Sequence, residues 1–239
     1  MLNIKILTAY PEMFPGALGY SLIGKALEEK KFCIDTIDLR KFGIGHRNNI
    51  DDEPFGGGPG MVLRPDVVEK ALLSINIDPK KNSKRIYLTP SGELLNQEKL
   101  GILSKFNELV ILCGRFEGVD QRAIEVFNFE ELSIGNYVLA GGEIAAQVLL
   151  EGCIRLIPGV LGQSESLLEE SFSDNLLEYP QYTRPKVWKD INNRLYEVPE
   201  VLTSGNHRKI KEWRYDKSVE KTKINRSDLY YKGTGIKDD

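Results

Sequence analysis

The sequence predicts an α/β fold, a mostly parallel sheet with helices on both faces, followed by a small, mainly helical C-terminal domain. Three observations lead there. Short aliphatic or β-branched runs alternate with amphipathic stretches up to residue 154, the order of repeated strand–helix units. Gly-rich turns at 114–118, 133–143 and 155–162 each follow an apolar run, and turns after strands are where open α/β sheets bind ligands. Beyond Gly162 the texture changes: residues 163–170 lack a period and carry three glutamates, reading as a linker, and 171–239 read as a separate domain.

Each element has its own justification. Leu2, Ile4 and Ile6 alternate, giving a first strand that ends near Ala9, with a turn at Pro11. Leu22/Ile23 and Ala26/Leu27 recur at a spacing of four, predicting a helix over 21–29, and 32–39 is a second strand. Residues 40–61 form a long loop with His46 and a Gly56–Gly60 cluster; a loop of this length in a compact domain is usually functional or disordered. Pro65 precedes a helix over 66–75 with Val68, Ala71, Leu72 and Ile75 on one face. A strand at 86–88 ends in a turn at Thr89-Pro90-Ser91-Gly92. There follow a helix over 96–106, a strand over 109–113, a helix over 119–127, a strand over 132–134, and a helix over 143–154 with Ile144, Val148 and Leu149 inward. In the last domain Val187-Trp188, Leu195, Val198, Val201-Leu202, Ile210 and Trp213 supply the expected core, and Trp213, at helical spacing from Ile210, reads as packing rather than base stacking.

Composition narrows the class of function. At 239 residues and 41% hydrophobic content, the chain can bury a sizeable core. Its apolar runs fall short of the ~18 residues needed to span a bilayer, and the start lacks the features of a signal peptide, so a cytoplasmic protein away from membranes is expected. Cys33, Cys113 and Cys153 are widely spaced and odd in number, suggesting buried thiols rather than disulfides or a zinc ribbon. The net charge is −3, yet residues 171–239 hold 14 basic against 11 acidic side chains, and 206–226 hold eight against three. Such asymmetry fits either a phosphate-binding module or a solvated helix face.

The turns define a pocket. Ile134, Tyr137 and Leu139 offer apolar walls, and no lysine or arginine lies between Arg122 and Arg155, so a neutral or cationic ligand with a purine-like ring fits better than a polyphosphate. Two tempting motifs fail. Gly19-x4-Gly24-Lys25 resembles a P-loop, but Ala26 lacks the hydroxyl that holds magnesium. The Gly56–Gly60 cluster misses the dinucleotide fingerprint, since Met61 stands at its third glycine.

The motifs GRFEGVDQR (114–122), SIGNYVLAGGE (133–143), RLIPGVLG (155–162) and YPQYTRP (179–185), with PEMF (11–14), FGGGPGM (55–61) and SGNH (204–207), run in order through the chain. Together they resemble the bacterial tRNA (guanine-N1)-methyltransferase family, TrmD, from about residue 1 to about 228. The resemblance implies a SPOUT-class fold with a trefoil knot closing the domain of residues 1–162, an obligate homodimer with a shared active site, and a tRNA-binding domain over 171–239. It implies methyl transfer from S-adenosyl-L-methionine, with Mg2+, to N1 of the guanosine 3′ of the anticodon, position 37, of tRNA.

The same resemblance assigns residues. Tyr87, Leu88, Thr89, Pro90, Gly114, Glu117, Gly118, Ser133, Ile134, Gly135, Tyr137, Leu139, Gly141 and Gly142 are expected to bind the cofactor, with Ala145 where the family commonly has proline. Arg155 is expected to stabilise charge growing on guanine O6. Glu170 stands where the family has its aspartate base, two residues before Phe172; it can accept the proton, with Glu169 and Asp174 as alternatives. Glu117 is the candidate magnesium ligand. His46, Arg184, Asn206 and His207 are expected to contact tRNA, and the last residues, GTGIKDD, to fray.

Overall fold

The computed structural model describes residues 1–75, 82–161, 171–172 and 175–234. The chain divides into two compact units, residues 1–162 and 163–239.

The first unit is built on five parallel strands: β1 (Leu2–Thr8), β2 (Phe32–Asp38), β5 (Ser83–Leu94), β6 (Glu108–Cys113) and β7 (Glu130–Ser133), in the order β2-β1-β6-β5-β7. Every residue of β6 is buried, as expected of a central parallel strand covered on both faces. The strand period of two divides the core. Ile4 and Ile6 of β1, with Leu109 and Ile111 of β6, pack against α1 (Ser21–Glu28), α3 (Gln97–Leu103) and α5 (Gly142–Ile154). Leu7, Val110 and Leu112 face the other way, against α2 (Pro65–Leu73) and α4 (Gln121–Val126).

Local chemistry sets the helix starts. The Asn96 side chain accepts the N–H of Lys99 and caps α3, and Asp120 does the same for α4 through the N–H of Arg122. Pro65 opens α2, where its missing N–H costs nothing.

Several expectations need correction. The strand at 86–88 does not stop at Thr89: it runs on to Leu94, and its register against β7 shifts between Leu88 and Glu93. The turn residues 89–92 are therefore a bulge within a strand, which re-aims the chain without ending the pairing. Within 40–61 a short pair forms with the next strand, β3 (Asp51–Asp52) against β4 (Val62–Leu63). In α5, Ile144 and Val148 are 50% and 49% exposed, while Ala145, Ala146, Leu149 and Leu150 are buried. The small alanines let α5 approach the sheet closely, so the larger pair points outward.

The second unit holds α6 (Glu200–Thr203), α7 (His207–Asn225) and α8 (Ser227–Thr234), together with an antiparallel hairpin of β8 (Val187–Lys189) and β9 (Leu195–Glu197). Val187, Trp188 and Leu195 are thus hairpin residues, 45%, 57% and 64% exposed, and not a helical core. Instead the chain before the hairpin lies along α7. The N–H of Leu177 donates to Thr222 Oγ1 at 2.8 Å, Arg214 stacks on the Tyr179 ring, and Trp213 packs near Tyr182. Among the described residues of this unit only Ser218 and Thr222 are buried.

Candidate active site

A cleft of about 200 Å³ opens at the carboxyl edge of the sheet, and all fourteen residues expected to bind the cofactor line it. Tyr87, Leu88, Thr89 and Pro90 come from β5, Gly114 to Gly118 follow β6, and Ser133 to Gly142 connect β7 to α5. The last connection is tightly held. Gly142 donates its N–H to Gly114 O at 2.9 Å, and a Cβ there would lie 2.9 Å from Cys113 Cα, so only glycine lets α5 start against the end of β6. Gly135 has φ +153°, and its N–H donates to Ser133 Oγ. The Tyr137 hydroxyl donates to Ile134 O. Phe116, Tyr137, Val138 and Leu139 leave an exposed apolar rim. Beneath Gly114 lies the Tyr87 ring, whose phenol burial pushes up and keeps as a donor.

Charge in the cleft is largely cancelled. Arg115 lines it, but its guanidinium is ion-paired with Glu143 Oε2 at 2.9 Å and donates to Ala140 O at 3.2 Å. Glu143, on the first turn of α5, is fully buried and accepts a hydrogen bond at Oε1 from Thr8 Oγ1 at 2.8 Å. Arg115 also stacks on the Tyr10 ring, whose ring contacts Arg40 as well. One side chain therefore ties the loop after β6 to the loop before α5 and to the turn after β1. A Cβ on Gly141 would collide with Arg115, so that glycine belongs to the same arrangement.

Sequence reasoning missed Arg115, Glu143, Thr8 and Tyr10. The available signal was a glutamate one residue inside an otherwise aliphatic helix, Glu143-Ile144-Ala145-Ala146, since a charge there requires a partner.

Glu117 is the remaining carboxylate on the cleft wall. Its N–H donates to Met61 O at 2.9 Å and its side chain abuts Gly60, which places the FGGGPGM loop beside the cleft. Among the described residues no three His, Cys, Asp or Glu side chains converge.

The other expected residues lie elsewhere. Arg155 is the C-cap of α5, thirteen residues from Gly142, about 20 Å along a helix axis. The chain there lies near Lys31, just before β2, whose ammonium donates to Gly159 O. Arg155 thus stands at the amino edge of the sheet and the cleft at the carboxyl edge. His46 is exposed on a turn closed by pairing of Ile44 with Asn49. Arg184 and His207 are exposed in the second unit, and Asn206 caps α7 by accepting the N–H of Lys209. Glu170 and its alternatives Glu169 and Asp174, the linker 163–170 and the end 235–239 fall outside the described residues. Of the thiols, Cys113 and Cys153 are buried, and burial pushes Cys153 up to about 12 and Cys113 well above its usual value. Cys33 is only half-buried and donates to Asn3 Oδ1, a correction to the expectation of a buried thiol.

Known proteins share this chain's sequence over nearly all its length. The family described as tRNA (Guanine-1)-methyltransferase TrmD matches residues 2–232. A protein of Wolbachia pipientis wMel named tRNA (guanine-N(1)-)-methyltransferase is 52% identical over 229 residues, 95% of this chain and 94% of that protein. A protein of the same name from Wolbachia pipientis subsp. Culex pipiens (strain wPip) is 51% identical, covering 95% and 96%. Another from Ehrlichia canis (strain Jake) is 47% identical, covering 95% of each chain. With five parallel strands, a cleft at their carboxyl ends and a match of this length, the chain belongs to the tRNA (guanine-1)-methyltransferase TrmD family.

Proposed function

We propose that this chain is a tRNA (guanine(37)-N(1))-methyltransferase, transferring a methyl group from S-adenosyl-L-methionine to N1 of guanosine 37. The observation that carries the reading is the cleft, where loops after β5, β6 and β7 converge and the single arginine is already neutralised. Such a site suits an uncharged purine ring and a ligand whose reacting sulfur is cationic. When bound, S-adenosyl-L-methionine supplies the electrophilic methyl group. The chain's own groups do the rest. Backbone of 133–142 and 114–118 reads the adenine, the apolar rim excludes water, and Glu117 offers a counter-charge to the cationic portion. Glu170 removes the N1 proton, and Arg155 holds the charge that moves onto guanine O6. Mg2+, when bound, would be held by Glu117 together with water and substrate.

The reading includes a homodimer with a shared site. Arg155 stands at the sheet edge opposite its own cleft, so it would serve the cleft of a second copy. An exposed apolar stripe, Ile144 and Val148 on α5 with Val138 on the rim, offers a face for that copy. It also includes a SPOUT knot over residues 1–162, supported by the return of the chain from the outermost strand β7 to the end of β6, where Gly142 bonds to Gly114. Residues 163–170 act as the linker and 171–239 as the tRNA-binding domain, with His46, Arg184, Asn206 and His207 near the RNA. Work on tRNA implies a cytoplasmic location; among the described residues no helix is long and apolar enough to cross a membrane.

The test is incorporation of label from S-adenosyl-L-methionine into a tRNA transcript with guanosine 37 and into a control with adenosine there. Label in the first alone is expected. Label in neither, with cofactor binding intact, would overturn the reading.

A further inference from the structure

The hairpin of the second unit carries a feature that its fold does not use. In the register of β8 and β9, Trp188 lies directly opposite Tyr196, so the period of two puts both rings on one face, with centroids 5.5 Å apart and planes inclined by 30°. They remain 57% and 49% exposed. A two-stranded hairpin is marginal alone, and an exposed aromatic pair gains most of its burial from something that covers it.

What covers it is indicated by charge. Trp188 and Tyr196 line a groove of about 400 Å³ with Tyr182, Arg184, Lys186 and Glu197. Arg184, Lys186, Lys189 and Arg194 are exposed, and none forms an ion pair among the described residues. On α7, by contrast, Arg208 pairs with Glu212 and Lys217 with Glu220. Asp190 is held in the hairpin turn, where its carboxylate accepts the N–H groups of Asn192 and Arg194. The hairpin therefore presents flat rings beside uncommitted cations, which matches an unstacked base and its flanking phosphates. A proline-rich peptide would use the rings but leave the cations without partners.

We infer that the Trp188–Tyr196 groove is a stacking site for an unstacked base of the RNA substrate, set apart from the cleft that binds the methyl donor. The inference rests on the proposed tRNA reading. Its test separates the two. In the full chain carrying Trp213→Phe, Trp188 is the remaining tryptophan. Adding tRNA is expected to quench its fluorescence. Trp188→Ala, made in the otherwise unaltered chain, is expected to raise the tRNA Kd roughly ten- to hundred-fold, with the S-adenosyl-L-methionine Kd and turnover at saturating tRNA within about twofold. Trp188→Phe keeps a ring and should restore most of the affinity. Unchanged tRNA affinity in Trp188→Ala, with no quenching while the chain still methylates tRNA, would overturn the inference and leave the proposed function standing. A change of oligomeric state in Trp188→Ala would overturn it too, making the groove a contact between copies. Failure of the unaltered chain to bind tRNA at all would remove the proposed function and the inference with it.

Discussion

Around the cleft of residues 1–162 the charged groups are paired below the surface, Arg115 with Glu143 and Glu143 with Thr8, whereas the hairpin cations of the second unit stand exposed and uncommitted. The cleft rests on a sheet buried on both faces, with two apolar clusters behind it. In the second unit buried apolar side chains are absent among the described residues, and the rings of Trp188, Tyr196 and Tyr215 are exposed. The difference teaches where each region finds its order. The cleft proposed for the cofactor is preorganised by its own core, which lowers the conformational cost of binding a small ligand. The hairpin surface proposed to meet RNA leaves groups unsatisfied that a large polyanion can satisfy.

The largest effect expected is on the buried pair. Glu143→Ala strands Arg115 without its carboxylate, and breaking a buried pair in this way costs about 3 kcal/mol or more. Urea unfolding should show that loss, and cofactor binding should weaken as the loops at 114–118 and 134–141 lose their tie. A loss under about 1 kcal/mol would show that the cleft does not depend on this pair and would break the comparison at its strongest point.

Next comes Arg155→Ala, expected to lower turnover by roughly 10²- to 10³-fold, as removal of a group that stabilises developing charge does. Binding of S-adenosyl-L-methionine, measured by calorimetry, should stay near its starting value, because the role proposed for Arg155 is towards guanine O6 and not towards the cofactor. Lost cofactor binding would mean that the substitution harms folding.

Much of the cleft was legible in the sequence because its residues are local to strand ends. Gly114 to Gly118 follow β6 directly, Ser133 to Gly135 follow β7, and turn chemistry is read from neighbouring residues. The Thr8–Glu143 bond spans 135 residues and leaves no local pattern. Ile144 and Val148 share the spacing of an inward stripe, and only the closeness of α5 to the sheet decides that Ala145 and Ala146 take that place. The strands of the hairpin are three residues each, too short for alternation to be told from a helical pattern, so in sequence Val187, Trp188 and Leu195 look like core.

A smaller effect is expected at the buried thiol Cys153, which belongs to the core behind the cleft. Its folded pKa is pushed from 9.0 up to about 12 by burial. The unfolded thiol loses its proton first, so this stabilisation is complete below about pH 9 and declines as pH rises towards 12. The stability difference between the unaltered chain and Cys153→Ala should accordingly narrow across that window in urea melts. A difference that stays constant with pH would contradict burial of the thiol.

The smallest effect on stability is expected at Arg208, whose contact with Glu212 is 3.8 Å long and exposed. Arg208→Ala should change stability by less than about 0.5 kcal/mol. If α7 meets RNA, the salt dependence of tRNA binding should become shallower by about one phosphate contact. An unchanged slope would make this cation part of a solvated face.

The proposed sharing of the site between two copies is most directly tested by mixing two inactive variants. Arg155→Ala keeps an intact cleft, and Leu139→Trp fills the cleft from its half-exposed rim while keeping Arg155. After subunit exchange, half the dimers are mixed and each has one complete site, so roughly a quarter of the original methylation of guanosine 37 should return if the site is shared across a twofold dimer. A mixture as inactive as its components, with exchange shown separately, would mean that cleft and arginine must lie in the same chain, contradicting the placement of Arg155 as a residue that serves its partner.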